Sequence, residues 1–372
     1  MGNELKLPIA LALIITVLVF KPVGLFGHRQ ASLIMSAADE GATEGQAIGA
    51  VPKRAMTLGL GTSLAVLAAL VIAPLFVKNF IIFQMTMVMI YGLAVLALNI
   101  LTGGSGQFSL GQSAFFALGG YTTAILMEHA SMNYALTLPI AGIICFGLGF
   151  LFGKPALRLS GDYLALATFA LAVAAPPFLK LNLFDHWTGG AQGLAVIKPD
   201  APFGLPIGQD KWLYYFTLAI SLGIYIASIN LLRSRSGRAF MAIRDNEIAA
   251  SAMGIDVALY KTLAFGVSAG ITGVAGGLGA IAVQFVAPDG YSFTLAISLF
   301  LGMVVGGVGW LPGSFVGAAF IIFVPNIAES ISKGLSGAVF GIILFVVIFV
   351  VPGGARQFAK QSAEYLGKRW SN

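Results

Sequence analysis

Phe80-Ile81-Ile82-Phe83-Gln84-Met85-Thr86-Met87-Val88-Met89-Ile90-Tyr91-Gly92-Leu93-Ala94-Val95-Leu96-Ala97-Leu98-Asn99-Ile100-Leu101 runs for 22 residues without a charged side chain. Wound as an α-helix, it reaches about 33 Å, enough to cross the roughly 30 Å of hydrocarbon in a bilayer. Nine further stretches have the same character: 58–77, 109–127, 135–152, 161–179, 212–232, 262–284, 292–308, 314–328 and 337–351. An eleventh, Leu7–Phe20, holds 14 apolar residues and is short for a span. The expected fold is all-α: a polytopic integral membrane protein with about ten transmembrane helices and a possible extra N-terminal one.

Composition excludes the alternatives. Of 372 residues, 58% are hydrophobic and 10% charged, against about 45–50% and 25% in soluble domains. A water-soluble globule would lack the charge to cover its surface, and a disordered chain would be poor in apolar residues. Glycine occurs 47 times, which suits helices whose backbones approach closely in lipid. The pairs Gly266/Gly270, Gly273/Gly277 and Gly302/Gly306 stand at helical spacing and read as packing seams. The single cysteine, Cys145, cannot form an intrachain disulfide.

The net charge of +6 needs no nucleic acid to explain it. With the loop 233–261 on the cytoplasmic side and spans alternating from there, 15 of the 21 Lys and Arg residues fall inside and 6 outside, as the positive-inside rule expects. The chain then divides into an N-terminal extension, 1–57, a membrane domain, 58–355, and a basic cytoplasmic tail, 356–372. Residues 182–211 form a long external loop, with Pro199, Pro202 and Pro206 and little helical periodicity.

Ionisable side chains inside spans mark proton or ion pathways. Here Glu128, Asp162, Asp185, Asp289 and Glu329 sit at or beyond the span ends, and His28, His129 and His186 lie in loops. Energy, if used, must therefore enter from outside the bilayer. The chain carries no phosphate-binding G-x-x-x-x-G-K-[ST] loop, no helical H-E-x-x-H and no G-x-S-x-G elbow. No catalytic residue, metal site or cofactor is expected.

The loop Arg233–Asp256 is amphipathic. Asp245 is a plausible helix N-cap and Gly254 a plausible helix end. Between them Ile248, Ala249, Ala252 and Met253 fall on one face. A helix this short needs support, either across the ends of the spans and against a partner groove or as part of a solvated linker.

Gly237-Arg238, Ile243-Arg244-Asp245-Asn246-Glu247-Ile248-Ala249-Ala250 and Gly254 resemble the EAA loop of ATP-binding-cassette importer permeases, in the form found in the branched-chain amino acid permease family. Leu98–Gln112 with Gly119-Gly120-Tyr121, Arg158–Ala165, Thr188-Gly189-Gly190, and Gly306-Gly307-Val308-Gly309 with Pro312-Gly313 resemble that family's other blocks, in order, over roughly 80–355. The likeness is strongest to the second of its two permease subunits.

The resemblance implies an importer permease in a bacterial inner membrane. Two cytoplasmic ATPase subunits would drive it, a second permease subunit would complete the pathway, and a periplasmic or extracellular binding protein would deliver branched-chain or other amino acids, or small amides such as urea. Arg244, Asp245, Glu247, Ile248, Ala249, Ala250, Met253 and Gly254 would couple the ATPases to the spans. Ser105, Gln107, Ser109, Gln112, Thr168 and Thr188 are candidate path residues, although the run Gly103–Gln112 reads equally as a cytoplasmic turn with capping serines.

One departure concerns the substrate. Family members commonly carry a glutamate shortly after the position of Thr168, with an arginine beyond it; Val173 and Pro176 stand there. Pro176-Pro177 should end or kink the helix. Residues 1–57 lie outside the resemblance, although Lys21–Gly27 looks like a permease tail of the same family. A passive channel or secondary carrier is the alternative from another functional class.

Overall fold

A computed structural model describes residues 67–156, 162–201 and 208–331, with the isolated positions 341 and 355. Helix α1 (Leu67–Phe76) is followed by α2 (Asn79–Asn99), which winds directly into a π turn, Ile100–Gly104. An irregular stretch, 106–111, leads to α3 (Gln112–Glu128) and α4 (Tyr134–Ala156). Next come α5 (Asp162–Leu179), the short α6 (Asp185–Thr188) and a two-residue strand, β1 (Leu194–Ala195). Helix α7 (Gln209–Arg233) turns into α8 (Arg235–Asp245) and α9 (Glu247–Ala252). The chain continues through α10 (Val257–Val283), β2 (Phe285–Val286), a 3-10 turn at Pro288–Tyr291, α11 (Phe293–Gly306) and α12 (Gly313–Ile331).

Helix dominates because a bilayer offers backbone groups no water, so each segment must satisfy its own hydrogen bonds. Among the described residues, five helical stretches are long and apolar enough to cross: Asn79–Gly104, Tyr134–Lys154, Gln209–Arg233, Val257–Val283 and Pro288–Gly306. Leu67–Phe76, Tyr163–Leu179 and Gly313–Ile327 are shorter apolar helices. The all-α, multi-pass expectation holds. The stretches Leu7–Phe20, 58–66 and, apart from the isolated position 341, 337–351, and the tail 356–372, lie outside the described residues.

The structure redraws one detail and decides a second. The apolar run 109–127 becomes helical only at Gln112, because the glycine-rich segment before it is held by side chains from other helices. Helix α5 carries both Pro176 and Pro177 and ends at Leu179. The prolines thus stand in its last turn and close it without an interior break.

Contacts sort the connections into two ends. At the basic end, the π turn, the α8–α9 segment and the α11–α12 connection meet. At the opposite end, β1 pairs antiparallel with β2, Leu194 facing Val286. Lys180 lies 2.6 Å from Asp289, the Trp212 indole donates to the Tyr134 hydroxyl at 3.1 Å, and Lys198 pairs with Asp210. The described part of the loop, 182–201, is therefore held to the bundle through β1 and through Lys198.

Helix α10 is the central post, packed against both α3 and α4. A β-carbon on Gly119 of α3 would lie 2.0 Å from the Gly273 carbonyl oxygen, and one on Gly276 equally close to the Phe116 carbonyl oxygen. On the α4 side, a β-carbon on Gly149 would fall 2.4 Å from that of Ala269. The seams read from glycine spacing are thus real, and α11 and α12 meet in the same way through Gly302 and Gly317.

Gly119→Ala should destabilise the protein by about 1–3 kcal/mol or more, since backbone cannot move aside as a side chain would. Gly147→Ala, at a site with open space, should be neutral or slightly stabilising. Thermal melting of the two variants in the same detergent checks the contrast.

Candidate functional site

At the basic end, α7 stops at Arg233 and the chain reverses through Ser234, whose side chain caps α8 by accepting from the Gly237 amide. Helix α8 is amphipathic: Gly237, Ala239, Phe240 and Ile243 are buried. Helix α9 begins after a sharp break at Asn246, whose side-chain oxygen accepts from the Ala249 amide at 3.0 Å. The N-cap is therefore Asn246. Asp245, the residue expected to cap, is the last of α8, and its carboxylate is engaged by Arg244.

The far end of α9 is as expected. Gly254 adopts φ +81°, its amide donates to the Ser251 carbonyl and the Ile255 amide to that of Ala250. This is the left-handed closure that glycine provides most readily. Asp256 then caps α10 by accepting from the Leu259 amide. Of the candidate coupling residues, Ala250 alone is buried. Ile248 is 84% exposed and Met253 83%, and Ala249 and Ala252 are exposed with them. The apolar face read from the sequence therefore points away from the bundle.

Two ties hold this segment to the spans. Arg244 donates through Nη1 to the Gly103 carbonyl at 2.9 Å. Glu247 pairs with Lys261 of α10 at 2.5 Å. Arg244 thus reaches inward, to the membrane bundle.

The polar run Ser105–Gln112 threads into the bundle beside these ties. Ser105, Gln107, Ser109 and Gln112 are all buried. The Ser105 hydroxyl donates to the Leu101 carbonyl at 2.8 Å. The Gln107 amide donates to the Ser105 hydroxyl and to the Lys261 carbonyl. The Ser109 hydroxyl accepts from the Gly111 amide. Gln112 donates to Ser268 at 2.9 Å and accepts from Thr272 at 2.7 Å, while Ser268 donates to the Ala97 carbonyl. Thr168 receives the Leu110 amide and donates to the Ala165 carbonyl. Between Lys261 and Ser268 the loop descends roughly 10 Å along α10, and its polar groups are met by protein, the condition for irregular backbone at such depth.

Five of the six candidate path residues are therefore gathered in one region. Thr188 stands apart, at the opposite end, donating to the Leu179 and Phe184 carbonyls.

Several participants were not singled out from the sequence. The π turn lies inside the block Leu98–Gln112 that carries the resemblance, but only its glycines hinted at its geometry. Ser268 and Thr272 lie a helical turn apart on the glycine-rich face of α10, a periodicity that could have flagged them. Asn99 anchors the α11–α12 connection: its Oδ1 accepts from the Gly309 amide at 2.7 Å, and its Nδ2 faces the Trp310 carbonyl at 3.1 Å and the Ser314 hydroxyl at 3.2 Å. Like Gln84 and Thr86 it is a polar residue in an apolar run, and its partners lie more than 200 residues away.

These features define an all-helical, multi-pass membrane protein with a tethered amphipathic segment at its basic end. The family described as "Branched-chain amino acid transport system / permease component" matches residues 80–351, and the chain belongs to it. The high-affinity branched-chain amino acid transport system permease protein LivM of Salmonella typhimurium is 33% identical over 272 residues, 66% of this chain and 64% of that one. LivM of Escherichia coli is 32% identical over 268 residues, covering 66% and 63%. The autoinducer 2 import system permease protein LsrC of an Enterobacter strain is 26% identical over 215 residues, covering 53% and 58%. The chain thus spans just under two thirds of the length of the LivM proteins it matches. No solved structure matches it.

Gln112→Leu would remove two buried hydrogen bonds, leaving Ser268 on the Ala97 carbonyl and Thr272 on the Ser268 carbonyl, and should cost about 1–3 kcal/mol. Gln112→Glu would place a charge in the same network and should cost more. Melting temperature and folded yield after detergent extraction check the order.

Proposed function

We propose that the chain is the membrane-spanning subunit of an ATP-driven importer in the bacterial inner membrane. In this reading 58–355 is the permease domain, 1–57 an extension and 356–372 a basic tail. Two cytoplasmic ATPase subunits drive it, a second permease subunit completes the pathway, and an external binding protein brings the cargo. The names of the relatives favour branched-chain or other amino acids; small amides such as urea are a narrower option, kept because Val173 and Pro176 replace the polar pair.

The observation that carries the reading is the outward-facing apolar surface of α9. A helix of six residues has no stability of its own, yet this one is capped at both ends, tied to α10 through Glu247, and presents Ile248 and Met253 to solvent. Exposed apolar anchors on a rigid polar rim suit a partner groove. A second support is energetic. Among the described residues no Asp, Glu, Lys or Arg side chain is buried in the core, so a driving force supplied from outside the bilayer fits the interior.

The test uses the complex in proteoliposomes, with its ATPase, second permease and binding protein, and follows uptake of labelled leucine, other amino acids and urea. ATP-dependent accumulation of one of them is expected. Ile248→Glu with Met253→Glu should lower ATPase retention and uptake about tenfold or more, the scale of losing one or two interface anchors. Gly254→Pro, incompatible with φ +81°, and Glu247→Arg, which sets two cations side by side, should leave hydrolysis while uptake falls. Accumulation against a gradient by this chain alone, without an ATPase, would overturn the reading in favour of a carrier.

A further inference from the structure

We propose that Arg244 is a positioning residue that locks the α8–α9 segment onto the π turn Ile100–Gly104, and that this turn is the joint through which movement of α9 reaches three spans at once. The direction of the movement rests on the importer reading; the connection itself is a property of this chain.

The geometry surrounds the turn from two sides. On one side, Arg244 donates to the Gly103 carbonyl at 2.9 Å, and its Nε and Nη2 both rest on the Asp245 carboxylate, at 3.0 and 2.8 Å. The guanidinium is thereby held in one orientation. Gly106, at φ +73°, lies so near that a β-carbon there would stand 3.1 Å from Arg244 Cγ. On the other side, a β-carbon on Gly103 would lie 2.5 Å from the Gly309 amide nitrogen, and Asn99 grips that same amide at 2.7 Å. Gly103 is thus pressed between α8 and the connection joining α11 to α12. From the end of the turn, Gln107 bonds the Lys261 carbonyl and so reaches α10.

A π turn suits a joint. It carries one residue more per hydrogen-bonded ring than an α turn, is rare, and recurs at functional sites. Returning it to α geometry would advance the following loop by one residue without unwinding α2. The stiff elements on either side, α8 and the α11–α12 hairpin, would then shift relative to each other while Asn99 and Arg244 keep their grip. Sequence spacing alone would make Arg244 a contact for the ATPase; its hydrogen bonds make it a link to the spans.

The first arm of the test needs no partner: hydrogen–deuterium exchange on the full chain in lipid nanodiscs, for wild type, Arg244→Ala, Arg244→Lys and Asn99→Ala. Arg244→Ala should raise exchange about tenfold or more both at 103–111 and at 307–313, Arg244→Lys should recover most of it, and Asn99→Ala should affect the same two segments. In the second arm, with the assembled transporter, Arg244→Ala should keep its ATPase and hydrolyse ATP within about twofold of wild type, while solute moved per ATP falls about tenfold, with Arg244→Lys between. Exchange changes confined to 235–256, unchanged solute per ATP, or loss of ATPase binding would each overturn the proposal. A wild-type complex without ATP-dependent uptake would overturn the importer reading instead, and the exchange arm would then decide the joint alone.

Discussion

The whole bundle depends on how closely α10 can approach its neighbours. In lipid there is no hydrophobic gain from bringing two apolar helices together, so association rests on dispersion and shape, both of which fall away within an ångström of separation. The glycines of α10 remove side chains at the contact points and leave backbone against backbone. At Gly273 one face meets Gly119 of α3, while a β-carbon on Gly273 itself would strike the Cys145 sulphur of α4 at 2.4 Å. One post therefore fixes two helices without room for sliding. That fixity lets a short side chain such as Gln112 find both Ser268 and Thr272 in bonding position.

The two ends of the bundle are built differently. Away from the basic end, the connections are fastened by a β-bridge and by charge pairs across them: β1 to β2, Lys180 to Asp289, Lys198 to Asp210. At the basic end, beside the Glu247–Lys261 pair, the helices are joined through glycine backbone, a π turn and the side chains of Asn99 and Arg244. Ties to glycine backbone leave no bulky side chain to resist a change of turn geometry. The exposed apolar pair on α9 thus lies at the same end of the bundle as the π turn and its glycine contacts.

What could be read from the sequence was whatever depends on local pattern. Apolar length gave the helices, glycine spacing gave the seams of α10 and α11, and Gly254 marked the end of α9. Asn246 was misread as following the cap because Asp and Asn are near-equal cap formers and stand side by side; Arg244 decides between them by occupying Asp245. The roles of Asn99 and of the Ser105–Gln112 run depend on partners far away in the chain. No period or spacing encodes that the asparagine at the end of an apolar helix will meet Gly309. The polar run looked divided between a path and a turn because serine and glutamine serve either, and only their partners tell what they hold.

The fate of those polar groups bears on how force can pass through such a protein. A buried amide or hydroxyl that loses its partner costs more than the bond it made was worth, so a network satisfied by protein resists partial opening. On the proposed importer reading, movement entering at α9 would not dissipate readily by breaking Gln107 or Gln112 away one bond at a time. The less costly response is a concerted one, in which the loop and the α11–α12 connection keep their bonds and travel together. On the proposed reading, a segment held by side-chain bonds at Ser105, Gln107 and Gln112 would serve transmission better than a loose one, which would absorb the same displacement locally.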